Sequence, residues 1–366
     1  SIEPSQELKI QLDAKRTNSG DFREIFRFDT LVNGYRSLTP SRSGTYTIST
    51  LTVKTAFEKQ TNNVSPAFEQ FRQNMAVVEQ RINSELSQQG IGSRYDSISQ
   101  DIMMPAFLAA YTGESASSVS LRPFPVIPLP NWRIDYAGLG KIPALAEIFS
   151  SINLTHSYRS AYTIGNYTNS LQYTNNLTLD QDILDYPLAT NIDSASGKLV
   201  PVYIINQATI AEQFAPFIGV NVRTKKNLNG RIDYKKDRNL SLNFSNAQVT
   251  ETTNNDVAFD FGWVKPDLKL PFKMQGRIIT IENDVTFRMN LTIRDSKSIQ
   301  RSLDGTNKIT NGNRNFQMRP SIGYKLNDDM DLTMYFDRSI TDPRIGSVRR
   351  ATTSFGIQLR FNLAQL

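Results

Sequence analysis

The residues of this chain that could do chemistry are few and scattered. His156 is the one histidine and there is no cysteine, so a Ser-His-Asp triad, a Cys-His pair or a multi-histidine metal site would rest on His156 alone. It lies inside an alternating run, Ile152, Leu154, His156, Tyr158, Ser160, Tyr162, Ile164, on the aromatic-rich side, which assigns it packing or a girdle position. Asp180, Asp182 and Asp185 could gather calcium through carboxylate oxygens, but they lack the glycine-bearing loop and closing glutamate of an EF-hand. A solvated acidic loop is the default. There is no G-x-x-x-x-G-K-[ST] loop and no G-x-G-x-x-G after a strand. Asn-x-Ser/Thr triplets at Asn153, Asn166, Asn176 and Asn290 fall mostly on or beside strand patterns and reflect faces rich in Asn, Thr and Ser. The expectation is a protein that is not an enzyme and uses no cofactor and no metal.

What the chain does carry is alternation, and the elements follow from it. From Ser354 to Leu363 large apolar residues alternate with polar or small ones, so Phe355, Ile357, Leu359, Phe361 and Leu363 share one strand face. Gly356, Gln358, Arg360 and Asn362 share the other. The same pattern recurs on long strands through most of the C-terminal half, as in a transmembrane β-barrel. Fold class is therefore all-β, an antiparallel transmembrane barrel segment, with Gln358, Arg360 and Asn362 as candidates to face a wet lumen.

Composition narrows the alternatives. The 41 basic against 35 acidic side chains leave +6 and a pI near 9.3, dispersed without a continuous basic run, which argues against nucleic acid as a partner. No run of eighteen apolar residues exists, so no helix can cross a bilayer and a closed barrel is the remaining spanning option. Absence of cysteine fits an envelope protein without disulfides. Ser1-Ile2-Glu3-Pro4 lacks the zones of a signal peptide, so either a signal was removed or this is the later part of a longer chain.

Along the chain, residues 1–60 read as barrel strands: Leu8 to Ala14, Phe22 to Phe28 and Tyr46 to Phe57. Residues 61–150 read as a helical and proline-rich insertion. Ser65-Pro66 starts a helix in which Phe68, Phe71, Met75, Val78 and Ile82 share one face before Gly90. That face is the candidate partner-facing surface. A second helix is expected from Met104-Pro105 to Tyr111, stopped by Gly113, followed by an extended strap, Leu121 to Pro130, whose prolines forbid helix and central strand. Residues 151–366 read as the C-terminal strands, with a turn at Gly165-Asn166, a polar excursion from Thr174 to Gln213, a strand from Leu240 to Val249, and long loops at Asp295 to Asn315 and Asp337 to Ser347. Short turns face the periplasm in bacterial barrels; with the C-terminus on that side, counting strands backward puts the insertion in the periplasm.

Two resemblances add to this. Thr353, Gly356, Leu359 and Phe361 fill the positions of the C-terminal assembly signal of outer-membrane barrels, although the chain runs on through Ala364-Gln365-Leu366. More specifically, the strings from Leu121 to Leu139 (LRPFPVIPLPNWRIDYAGL), Ile148 to Arg159 (IFSSINLTHSYR), Tyr234 to Leu242 (YKKDRNLSL) and Asp267 to Phe272 (DLKLPF) resemble, in the same order, the C-terminal region of the SprA/Sov family, the outer-membrane translocon of the Bacteroidetes type IX secretion system. The likeness covers nearly the whole chain. It implies a segment of a giant outer-membrane barrel that exports folded cargo proteins and supports gliding motility. It also implies partners: the remainder of the SprA polypeptide, a PorV-type shuttle barrel, a plug protein, secreted cargo with C-terminal sorting domains, and outer-membrane lipid and lipopolysaccharide. The rival readings are a self-contained porin or receptor barrel and a soluble β-rich adhesin.

Overall fold

A computed structural model describes residues 2–5, 7–38, 40–92, 95–170, 192, 199–274, 277–327, 330–346 and 348–361. In chain order the elements are β1 (Ile2–Ser5), β2 (Leu8–Asp13), β3 (Arg16–Arg23), β4 (Phe26–Asp29), β5 (Gly34–Ser37), β6 (Ser41–Ser49), α1 (Val53–Ala56), α2 (Pro66–Gln88), α3 (Gln100–Thr112) and β7 (Asn131–Tyr136). Then come α4 (Pro143–Ala146), β8 (Phe149–Asn169), β9 (Tyr203–Ile205), β10 (Gln207–Thr224), β11 (Leu228–Asn243), β12 (Gln248–Met274), β13 (Arg277–Ser302), β14 (Asn307–Asn327), β15 (Met330–Pro343) and β16 (Arg350–Phe361).

The chain is all-β in its framework. Fourteen strands make one antiparallel sheet whose path runs β1-β2-β7-β8-β10-β11-β12-β13-β14-β15-β16. The edge of β8 away from β10 is shared, β7 pairing along residues 154–158 and β6 along 161–168. β4 and β5 form a hairpin of their own. Among the described residues the sheet is open, and β16 pairs with β15 alone. β12 has 27 residues and β13 has 26; at roughly 3.4 Å per residue each runs close to 90 Å. A tight turn makes β13 and β14 neighbours. In the β13–β14 turn Gly305 takes φ +90°, a left-handed backbone that a side chain would strain, and Asp304 Oδ1 accepts the Thr306 N–H at 2.8 Å.

A helical layer lies over one end of the sheet. Ser65 Oγ accepts the Phe68 N–H at 3.3 Å and Pro66 occupies the first helical position, where its missing N–H costs nothing. Phe68, Phe71, Val78 and Ile82 are fully buried, in one core with α3 and with Tyr162, Ile164, Ala208, Ile210, Leu240, Leu242 and Val249 of the sheet. α3 is buried on every side from Asp101 to Tyr111, as expected of a helix apolar all round, and ends on Gly113 at φ +71°. The strap then crosses the layer without regular structure. Phe124 inserts edge-on against Tyr46, Tyr167 and Tyr203, the Tyr162 hydroxyl donates to Pro123 O at 3.2 Å, and the Tyr46 hydroxyl donates to Pro125 O. Tyrosines thus supply the donors that the prolines of the strap cannot.

Several sequence expectations are corrected. β8 runs straight through Gly165-Asn166, so no turn lies there. The run from Leu240 to Val249 crosses a hairpin turn between β11 and β12. Asp295 to Asn315 and Asp337 to Ser347 are mainly strand, because β13 continues to Ser302, β14 starts at Asn307 and β15 continues to Pro343. β7 belongs to the sheet, which shortens the insertion. The end of the polar excursion is β9 and the start of β10; Asp180, Asp182 and Asp185 lie outside the described residues. α3 begins a turn before Pro105, forgoing one intrahelical hydrogen bond within a fully buried helix. Finally, the layer sits beside the turns after β11 and β13, with Phe244, Ala247 and Leu303 packed against its core. That is the end of the sheet opposite the one where β16 finishes, since β16 runs antiparallel to β15 and β15 to β14.

Candidate functional site: an apolar band backed by a polar wall

Strand register makes the two faces of the sheet continuous. Leu228, Trp263, Phe287, Ile322, Met334 and Ile357 are successive cross-strand partners from β11 to β16. Ile232, Phe259, Leu291 and Met318 form a parallel row, and Tyr234, Val257, Ile293, Phe316 and Ile340 another. Side chains two apart along a strand share a face, so these rows, with Val285, Tyr324, Phe336, Phe355 and Leu359, make one apolar band. On β14 it reaches from Phe316 to Tyr324, about 27 Å at 3.4 Å per residue. The band is open to its surroundings: Phe355 is 67% exposed, Ile357 63% and Phe361 56%. With strands about 4.8 Å apart, six strands give the band an outline of roughly 650 Å², at the upper limit of the largest apolar patch on a soluble monomer.

The opposite face is polar in the same rows. Lys235, Asp256, Arg294, Asn315, Thr341 and Arg350 are successive partners. Charged and polar groups are paired across strands: Arg294 holds Asp256 through two bonds of 2.8 Å, Arg319 Nε meets Asp337 Oδ2 at 2.7 Å, and the neutral Asn290 Nδ2 donates to Asp260 Oδ1 at 2.5 Å. A groove of about 510 Å³ on this face is lined by Lys9, Arg133, Asp135, Arg231, Asp233 and Lys235 among others.

The residues expected to mark the closing strand fall on these two faces. Leu359 and Phe361 belong to the apolar band, and Thr353 lies on the same face opposite Arg338, in the row of Leu291 and Met318. Gly356 is on the polar side opposite Tyr335, and a Cβ there would meet the Tyr335 ring at 2.4 Å; the glycine lets that ring lie across the strand. Gln358 and Arg360 share its face, opposite Thr333 and Asp331, while Asn362 lies outside the described residues. The apolar face of α2 offered to a partner, Phe68, Phe71, Met75, Val78 and Ile82, is instead filled by this chain's own α3 and sheet. His156 is a packing residue: Nδ1 lies 2.6 Å from Phe217 O and the ring sits against Phe217 and Trp132.

Sequence reasoning missed the polar network that pins the layer to the sheet. Glu212 pairs with Arg238 at 2.7 Å and Glu251 with Arg301 at 2.6 Å, all four at most 5% exposed. Arg238 donates to Thr55 O at 2.8 Å and Thr52 O at 3.2 Å, while Thr52 Oγ1 and the Tyr158 hydroxyl donate to Glu212 Oε1 at 2.7 and 3.0 Å. Arg301 donates to Asn307 Oδ1 at 2.8 Å and to Asn63 O, and Gln60 Nε2 donates to Glu251 Oε1 at 2.9 Å. Burial, with Glu251 nearby, pushes the Tyr111 hydroxyl well above its ordinary pKa, so it stays neutral. The signal was present: Glu212 between Ile210 and Phe214, and Glu251 two residues from Val249, interrupt the apolar phase of their strands.

Among the described residues no group of three or more His, Asp or Glu is placed to hold a metal ion. No protein-family model matches the chain, and no curated protein matches it.

Proposed function

We propose that this chain is a wall segment of an outer-membrane protein-conducting channel, the SprA/Sov-like translocon of type IX secretion. The observation that carries the membrane part is the two-faced sheet: an exposed apolar band from Phe316 to Tyr324 on β14, within the roughly 9–11 residues that a tilted barrel strand needs to span a bilayer, backed row for row by polar and ion-paired side chains. Lipid meets the band and a water-filled conduit meets the other face. A hydrated, folded cargo would lose too much solvation against an apolar wall; a wall of Arg, Asp, Asn and Thr lets it keep its water. The secretion part rests on the sequence resemblance, and the open β16 edge supports a segment that pairs with further strands over a self-contained porin.

In this reading the three-residue turn between β10 and β11 lies in the periplasm with the end of β16. The helical layer then lies at the cell surface, because it covers the other end of the strands. This replaces the periplasmic placement expected from sequence.

The test is photocrosslinking from the polar face. A crosslinking side chain at Gln358 or Asp260, introduced in the cells that make the protein, should give adducts with secreted cargo, whereas the same group at Ile357 should crosslink to lipid or neighbouring membrane protein. Solute-conducting single channels from the isolated chain, with no cargo adduct from either polar position, would overturn the translocon reading in favour of a porin.

A further inference from the structure

Among the described residues β16 pairs with β15 from Thr341 opposite Arg350 to Met330 opposite Phe361, and with nothing on its other side. Every second residue of an antiparallel edge strand turns its N–H and C=O away from its neighbour, so a row of unpaired backbone groups runs along Arg350–Phe361, a template for another strand. The charge of this edge is one-sided. Its twelve residues hold Arg350 and Arg360 and no acid, and both arginines lie on the polar face, with Thr352, Ser354, Gly356 and Gln358 between them. The strands behind alternate in sign. Lys325 of β14 stands opposite Asp331 of β15 and Asp331 opposite Arg360; these three, with Asp284, are among the residues that line a groove of about 510 Å³. In the row of Arg350, Lys235, Asp256 and Arg294 alternate likewise, but Asn315 and Thr341 then leave Arg350 beside an uncharged neighbour. The other acid of β15 on this face, Asp337, lies opposite Ser354 and is held by Arg319 at 2.7 Å. Arg350 and Arg360 are exposed, and among the described residues neither is held in an ion pair.

We propose that the unpaired side of β16 is a docking edge for an acidic strand, one that carries a carboxylate beside Arg350 and another beside Arg360 on its wet face and apolar side chains on the other. The inference rests on the membrane reading above and deepens it by naming the chemistry of the strand that continues the wall. Opposite charges directly across a strand pair stabilise it and like charges do the reverse, so the two arginines that admit an acidic strand repel a basic one. A second copy of this edge is disfavoured on the same ground, because it brings two more cations and no carboxylate. Two carboxylates at the spacing of Arg350 and Arg360 meet both arginines whether the incoming strand runs parallel or antiparallel. On the opposite face Phe355, Ile357 and Leu359, exposed at the same edge, carry the apolar band across to the newcomer, and main-chain hydrogen bonds join the two strands as in other strand additions.

The test uses the full chain in phosphatidylcholine nanodiscs and three fluorescent peptides that span the distance from Arg350 to Arg360. Two of them alternate Thr or Ser with Val or Phe and differ only at their ends, both Glu in one and both Lys in the other; the third copies residues 350–360 of this chain. Wild type should bind the Glu peptide at least about tenfold more tightly than the Lys peptide by fluorescence anisotropy, with slower hydrogen exchange confined to β16, and should bind the copy no better than the Lys peptide. R350E/R360E should reverse the order of the Glu and Lys peptides and R350K/R360K should keep it. R159Q/R223Q, which removes two cations of the polar face on β8 and β10, should leave the ratio unchanged. Equal affinity for the Glu and Lys peptides, binding of neither, an order that survives R350E/R360E, or a copy bound as tightly as the Glu peptide overturns the docking edge while leaving the membrane reading intact. Failure of wild type to enter nanodiscs overturns the membrane reading and the docking edge with it.

Discussion

Replacing Arg301 by Met should loosen the helical layer without unmaking the sheet. Arg301 is fully buried and holds Glu251 with Nε at 3.0 Å and Nη2 at 2.6 Å, so its loss leaves a carboxylate at 3% exposure held by the amide of Gln60. Breaking one member of such a pair costs about 3–5 kcal/mol. At about 1.4 kcal/mol per factor of ten, the docked-to-undocked ratio falls by between about a hundredfold and a few thousandfold. The second substitution, Glu251→Leu, removes the orphaned charge, and the double variant should recover at least about half of the loss. The bonds from Arg301 to Asn63 O and Asn307 stay lost, at about 1 kcal/mol each. Hydrogen exchange of α2 amides from Phe71 to Leu86 reads the docking equilibrium directly, with β13 and β14 amides as the internal reference. The reasoning is refuted if the single and double variants open α2 equally, or if α2 exchanges at the wild-type rate in Arg301→Met.

Phe71→Ala should destabilise the layer by about 3–5 kcal/mol, because Phe71 is fully buried between Phe68 and Phe107; a calorimetric scan should show the lower transition move while the sheet transition stays. Ile357→Lys puts a charge on the apolar band and should weaken insertion into vesicles by up to about 2–4 kcal/mol. The neighbouring Gln358→Lys, on the other face, should leave insertion unchanged, and flotation with vesicles compares the two.

Where the two faces differ in polarity, the fold was legible in the chain. Phe355 to Phe361 and Val285 to Ile293 alternate because one face is apolar and the other wet, and Ser65-Pro66 announces α2 through its cap. Next to the band, around Asp295, Lys297 and Arg314, both faces are polar, so the alternation lapses there although the strands continue. Asp295, Lys297 and Arg314 look like loop residues in sequence, yet cross-strand hydrogen bonds and the Arg344–Asp295 pair keep them in register. β7 alternates Trp132, Ile134 and Tyr136, but it follows directly on the proline strap, which hid it. The Glu212–Arg238 and Glu251–Arg301 pairs depend on register between strands, and no local pattern announces their partners.

The central claim is that one face of β16 meets lipid and the other meets water. Since the chain has no cysteine, single cysteines at each position from Ala351 to Phe361 can carry a spin label in vesicles, and collisions with dissolved oxygen and with a water-soluble nickel chelate report the surroundings. The account predicts a period of two, oxygen-rich at Phe355, Ile357, Leu359 and Phe361 and chelate-rich at Ser354, Gly356, Gln358 and Arg360. Uniform access of the chelate along the strand would contradict it.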